Sequence, residues 1–276
     1  MVKVFISADL EGISGVVAND QTDPGPSEEF PRACRLMTRQ VNAAVAGALE
    51  GGAGQVIVND SHGAMRNIRI EELHPKARLV TGSPKPLSMM QGVEGSDLAF
   101  FVGYHSMAGT PGVLSHTYSG RTVHVLRING RPSGETLMNA GIAGYYRVPV
   151  VLVTGDSDLA AEATGAIPGV RAVVVKEATS RSSALCLPFE EANTLIQEAA
   201  REVVREQGAR PAQPQVVASP VTFEIQFKNT AQAGGAHFIP GTQRVDPLTV
   251  SFTHTDYIVA FKAARAMITT AYSADS

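Results

Sequence analysis

Three apolar runs constrain this chain more than any other feature, because each stops at side chains able to bind metal. They read Phe5-Ile6-Ser7-Ala8-Asp9-Leu10-Glu11-Gly12, Val56-Ile57-Val58-Asn59-Asp60-Ser61-His62-Gly63 and Phe100-Phe101-Val102-Gly103-Tyr104-His105. As strands of an open parallel sheet they bind ligands beyond their carboxyl ends. Asp9, Glu11, His62 and His105 then converge on one rim. Two carboxylates and two imidazoles suit zinc or a similar divalent cation, and a metal centre there implies hydrolysis.

The rest of the first half alternates in the same way. Residues 28–50 form a helix, with Met37, Val41, Ala44, Val45 and Ala48 at helical spacing and Gly51-Gly52 ending it. Strands follow at residues 55–59, 77–80, 98–103, 149–154 and 170–176. A hairpin interrupts the pattern: residues 122–128 alternate and Asn129-Gly130 is a turn signal. Helices are expected over 134–146 and 157–166, the second capped by Asp156. The last third reads helix (188–207), a linker from Arg210 to Pro214, strand (221–227), Gly-rich loop (232–241), strand (248–253), helix (256–271). The expected fold class is α/β, a mostly parallel sheet sandwiched by helices, with a smaller C-terminal α+β subdomain. The expected units are residues 1–187, carrying the metal site, and 188–276, packed with the 106–135 segment.

Each candidate residue has a plainer reading. Asp9 and Glu11, two apart on extended chain, point to one side; otherwise they are a solvated acidic loop. His62 follows Asp60, which is placed to orient its ring; alone, it is a loop histidine. Asp60, Ser61 and His62 are adjacent and cannot meet at one point as a catalytic triad. His105 gains weight as the third strand end of its kind, and otherwise is a satisfied structural histidine. Glu135 opens a helix, where the macrodipole favours a carboxylate. His116 reads as a surface histidine after a turn, and Arg181 as an anion contact or a surface charge. His74, His124, His237 and His254 have no ligand-like spacing.

Composition excludes other classes. The 276 residues carry a net charge of -3, no Trp and 6% aromatics, which leaves neither a basic footprint nor stacking platforms for nucleic acid. With 44% hydrophobic and 18% charged residues the chain has ample material for a core. No apolar stretch is long enough to span a bilayer, and the N-terminus lacks the pattern of a secretion signal. Cys34 and Cys186 read as two buried thiols, with a disulfide between them left open, which suits a cytoplasmic location. There is no P-loop, no Gly-x-Ser-x-Gly elbow and no His-Glu-x-x-His helix.

Six strings in order, Asp9-Leu10-Glu11-Gly12-Ile13-Ser14-Gly15, Val58-Asn59-Asp60-Ser61-His62, Gly103-Tyr104-His105, Thr110-Pro111-Gly112-Val113-Leu114-Ser115-His116, Gly134-Glu135 and Ser180-Arg181-Ser182, cover most of the chain. On them the sequence resembles the zinc-dependent D-aminopeptidases of the dipeptide-permease operon type; the C-terminal third resembles them more loosely. The resemblance implies two Zn2+ per subunit held by Asp9, Glu11, His62, His105 and Glu135. Asp9 bridges, Glu11 and His105 complete one site, and His62 and Glu135 the other. It implies His116 as the catalytic histidine, short peptides (D-alanyl ones among them) as substrates cleaved by a metal-activated water, and a homodecamer of two stacked pentamers. Two other functions remain open: a different binuclear metal amidohydrolase or phosphoesterase on the same ligands, and a non-enzymatic peptide-binding accessory of a dipeptide transporter.

Overall fold

In the computed structural model, residues 1–207 and 211–274 are described; Arg210, the first residue of the expected linker, lies outside them. The chain runs β1 (Val2–Ala8), α1 (Glu29–Glu50), β2 (Ala53–Asp60), β3 (Ala77–Val80), β4 (Leu98–Val102), β5 (Val123–Ile128), β6 (Arg131–Pro132) and α2 (Glu135–Tyr145). It continues with β7 (Val150–Asp156), α3 (Ser157–Ala166), β8 (Arg171–Ser180), β9 (Ser183–Cys186) and α4 (Phe189–Glu206). β10 (Val221–Phe227), α5 (Thr230–Ala236), β11 (Gln243–Arg244), β12 (Thr249–His254) and α6 (Tyr257–Ser273) close it.

Seven strands form the main sheet in the order β3-β2-β1-β4-β7-β8-β9, all parallel up to the antiparallel edge strand β9. β1 is buried on both faces, as a central parallel strand must be. Val4, Ile6 and Ala8 face a core shared with Met37, Val41 and Ala44 of α1, while Phe5 faces the opposite core with Phe101, Met138 and Phe223. A strand period of two thus joins two cores through one strand. The second sheet, β11-β12-β10-β5-β6, is antiparallel and packs on that opposite side with α6. In β10, Val221, Phe223, Ile225 and Phe227 point inward and alternate with half-buried residues. The fold is therefore mixed α/β with a mostly parallel central sheet flanked by helices.

Local chemistry explains the boundaries. Asp156 caps α3 by accepting from the Leu159 N–H at 2.8 Å. Asn129 and Gly130 both have positive φ (50° and 78°), the pair a tight hairpin needs, and they join β5 to β6. Three expectations fail. The Gly-rich stretch at 232–241 is not simply a loop: Asn229 accepts from the Gln232 N–H and starts α5. β8 does not stop at Lys176 but continues to Ser180 and turns into β9, which extends the sheet by an edge strand. α4, expected with the C-terminal unit, packs on α1 against the main sheet, and its inward residues Ile196, Ala200 and Val203 belong to that core. Cys34 and Cys186 are both free thiols, Cys186 only half-buried. No helix among the described residues is long and apolar enough to cross a membrane.

Candidate metal centre

Strand register builds the site. Ala8 pairs with Asp60 on one side and with Val102 on the other, so β1, β2 and β4 end level. The Asp9 N–H donates to Val102 O at 2.8 Å and the Ser61 N–H to Ala8 O at 2.8 Å, carrying the alignment past the strands. The strand order reverses between β1 and β4, and such switch points are where open α/β sheets bind ligands. Asp9, Glu11, His62 and His105 all emerge there. Glu135, the first residue of α2, and His116, from the segment after β4, reach it from the second-sheet side.

Two donor groups share Asp9. His62 Nδ1 lies 3.2 Å from Asp9 Oδ1 and 2.9 Å from Glu11 Oε2. His105 Nε2 lies 3.5 Å from Asp9 Oδ2 and 3.4 Å from Glu135 Oε1. Asp9, Glu11 and His62 each offer an atom within 4.8 Å of the others, and so do Asp9, His105 and Glu135. The shortest contacts set Glu11 beside His62 and Glu135 beside His105, a different grouping from the one the resemblance implied. The cause is local. The Tyr118 N–H donates to Glu135 Oε1 at 2.6 Å and fixes that carboxylate beside the segment that carries His105 and His116. Glu11, His105 and His116 form a third, overlapping group.

Each imidazole is oriented through its other nitrogen. His62 Nε2 bonds Thr22 O at 2.8 Å, His105 Nδ1 bonds Ser106 O at 3.0 Å and His116 Nδ1 bonds Leu114 O at 2.9 Å. A carbonyl only accepts, so each of these nitrogens carries the hydrogen, and the lone pairs of the neutral rings sit on His62 Nδ1, His105 Nε2 and His116 Nε2. The first two face the carboxylates. His105 Nε2 is buried with no hydrogen-bond partner, which is costly for a polar atom unless something else meets it. A divalent cation among three carboxylates and two imidazoles fits that orphaned atom and the chemistry of the donors.

The electrostatics agree. Burial, with the Glu11 charge added, pushes the Asp9 carboxyl up to about 7 against the hydrogen bond to His62. Burial opposes charge on the imidazoles, but the surrounding carboxylates outweigh it: Glu11 and Asp9 raise His62 well above its usual range, and Glu135 raises His105 to about 10. Burial likewise opposes charge on Glu11 and Glu135, and there His62 and His105 respectively hold the carboxyls low. Burial together with His105 lowers His116. The carboxylates therefore demand positive charge, and a divalent cation meets that demand by displacing imidazole protons.

The surroundings hold residues that sequence reading missed. Lys176, 1% exposed, donates from Nζ to the carbonyls of Glu11, Ile13 and Val16 and ties down the loop after β1. Its one sequence signal is a lysine ending the apolar run Val173-Val174-Val175. Beneath the rim, Ser7 Oγ meets Ser61 Oγ at 2.7 Å and Tyr104 Oη at 2.6 Å, and Asn139 Nδ2 donates to Tyr104 Oη at 3.0 Å, joining three strand ends to α2. Asp60 does not orient His62. It accepts from the N–H groups of Asn67 and Ile68 and from Asn67 Nδ2, and so shapes the turn that follows His62. The donor groups open into a cavity of about 800 Å³, whose wall includes His116, Tyr118, Arg181 and Arg265. None of His74, His124, His237 and His254 lines it.

The chain is similar to known proteins along most of its length. A family model described as D-aminopeptidase matches residues 2–266. A D-aminopeptidase of Bacillus subtilis (strain 168) is 38% identical over 268 residues, 96% of each chain. A solved structure described as a Zn-dependent D-aminopeptidase from Bacillus subtilis, a self-compartmentalizing protease, superposes with a TM-score of 0.94 at 37% identity over 98% of each chain.

Proposed function

The chain belongs to the D-aminopeptidase family, and from that premise we propose that it is a zinc peptidase that binds two Zn2+ and removes N-terminal residues, D-alanine among them, from short peptides or amides. The observation that carries the reading is the pair of donor groups sharing Asp9 through different oxygens. Asp9, Glu11 and His62 would hold one ion, and Asp9, His105 and Glu135 the other. When bound, the zinc pair supplies a water activated at neutral pH and a Lewis acid for the scissile carbonyl.

The remaining work falls to the chain. Burial keeps bulk water from the donors and strengthens every charge interaction among them. His116 lies over His105, with ring centroids 4.1 Å apart and planes 10° from parallel, and its Nε2 is 3.7 Å from Glu135 Oε1. Its Nδ1 hydrogen is committed to Leu114 O, so the Nε2 lone pair faces the centre and is free to accept a proton. That makes His116 the general base that takes a proton from the attacking water and returns it to the leaving amine. Oligomerisation around an enclosed chamber is supported by the description of the Bacillus subtilis relative as self-compartmentalizing; a decamer in the cytoplasm is the form proposed.

Zinc analysis of the purified protein, run beside a panel of D- and L-aminoacyl amides and phenyl phosphate, tests the proposal. About two zinc per subunit with turnover of D-alanyl substrates supports it. Turnover of the phosphate ester alone, or a zinc-loaded protein inert on every aminoacyl amide and on D-alanyl-D-alanine as well, refutes it.

A further inference from the structure

The chain is acidic overall, yet the cavity wall is not. Outside Asp9, Glu11 and Glu135, its charged residues are Arg66, Arg121, Arg181, Arg265 and the single acid Asp23. Four guanidiniums thus offset the four carboxylates on one cavity of a chain with net charge -3. Arg265 differs from the rest. It comes from α6, is half-buried, and its guanidinium lies 3.9 Å from the centroid of the Tyr118 ring. Arg32, Arg39, Arg127 and Arg171 each pair with a glutamate, but among the described residues no carboxylate or carbonyl meets the Arg265 guanidinium. Stacking fixes its plane and leaves its donors directed at whatever enters. Tyr118 ties it to the centre, since its own N–H is bonded to Glu135.

We propose that Arg265 anchors the C-terminal carboxylate of the peptide substrate, so that the enzyme acts on short peptides with a free C-terminus in preference to their amides. The inference rests on the aminopeptidase reading and narrows its substrate class. A short peptide is a zwitterion, and its amino end and scissile bond belong at the donor groups. A carboxylate carried into a half-enclosed cavity then needs a cation at the far end, or its desolvation opposes binding. A fixed, planar guanidinium without another acceptor meets a carboxylate through two parallel hydrogen bonds. Arg66 and Arg181, on the same cavity wall, add long-range attraction.

The test compares D-alanyl-D-alanine with D-alanyl-D-alaninamide on the zinc-loaded wild type, Arg265→Gln and Arg265→Lys. The wild type is expected to favour the acid by about tenfold or more in kcat/KM, carried by KM. Arg265→Gln should lose about tenfold to a hundredfold on the acid, the range for a hydrogen-bonded charge, and stay within about twofold on the amide, with zinc content and melting temperature unchanged. Arg265→Lys, which keeps the charge without the planar fork, should fall between them. Equal treatment of acid and amide by the wild type, or equal losses on both in Arg265→Gln, overturns the anchor while leaving the aminopeptidase intact. Should neither compound be cleaved, the aminopeptidase reading fails, and calorimetric binding of the same pair decides the anchor separately. Tighter binding of the acid that Arg265→Gln abolishes supports it; equal binding or none overturns it.

Discussion

Gly12→Ala is the sharpest perturbation of this site that leaves every donor in the chain. Gly12 follows Glu11 and crosses the end of β4 so closely that its N–H donates to Gly103 O at 2.8 Å. A Cβ there would stand 1.9 Å from Tyr104 O and 2.5 Å from the Gly103 carbonyl carbon, where real contacts stay beyond 3.0 Å. Both atoms are backbone, so one segment must retreat by about 1.1 Å, the difference between those two limits. Overpacking of this kind costs about 1–3 kcal/mol, and the strained Gly12–Gly103 bond adds about 1 kcal/mol. The melting temperature should drop by roughly 4–8 °C for a chain of this size. The same retreat separates Glu11 from His105, which follows Tyr104 directly. A displacement near 1 Å in a catalytic constellation costs about a hundredfold in rate, so kcat/KM should fall at least that far, with less zinc retained per subunit. Gly25→Ala is the control, because a Cβ there meets nothing within 4 Å. If Gly12→Ala melts with the wild type, keeps its zinc and hydrolyses D-alanyl amides at the same rate, the close crossing does not set the position of Glu11.

The other residues separate by role. His62→Ala and His105→Ala should each lose zinc and activity together, whereas His116→Ala should keep its zinc and lose about a hundredfold to ten-thousandfold in kcat, the span of general acid–base catalysis; near-normal turnover in His116→Ala refutes its role. Asp60→Asn should destabilise the protein by about 1–3 kcal/mol in denaturant unfolding, because an amide that keeps its oxygen toward the Asn67 and Ile68 N–H groups turns its NH2 onto the Asn67 Nδ2 donor that the carboxylate now accepts. The folded variant should still bind zinc, and selective loss of zinc would mean that Asp60 does orient His62. Zinc added to metal-free protein at pH 7 should release protons, because His62 is raised and His105 is raised to about 10 and both must deprotonate to coordinate. Apparent zinc affinity therefore rises with pH from neutrality toward about 10 and falls as the solution is acidified; calorimetry in buffers of different ionisation enthalpy reads the proton count, and zero net release contradicts the assignment.

The strand-end logic was legible because it depends on short-range pattern. Apolar runs ending in Asp9, His62 and His105 need only a parallel sheet to bring them together, and level register does the rest. Asp156 as a cap and Asn129-Gly130 as a turn are equally local. Glu135 and His116 were not legible from spacing, since Glu135 reaches the centre by way of β5 and β6, which belong to another sheet, and His116 lies in the irregular segment after β4. The grouping of donors was also hidden, because it depends on which carboxylate the Tyr118 N–H holds. Lys176 and Arg265 are long-range partners, and no neighbouring residue announces what their side chains meet. α4 looked like part of the C-terminal unit because its amphipathic pattern specifies an inward face but not which core receives it.

An anomalous difference map recorded at the zinc edge on crystals of the zinc-loaded protein tests the central claim most directly. Two peaks per subunit are expected, one among Asp9, Glu11 and His62 and one among Asp9, His105 and Glu135, with the Asp9 carboxylate between them. A single peak, or a pair in which Asp9 touches only one ion, would contradict the account.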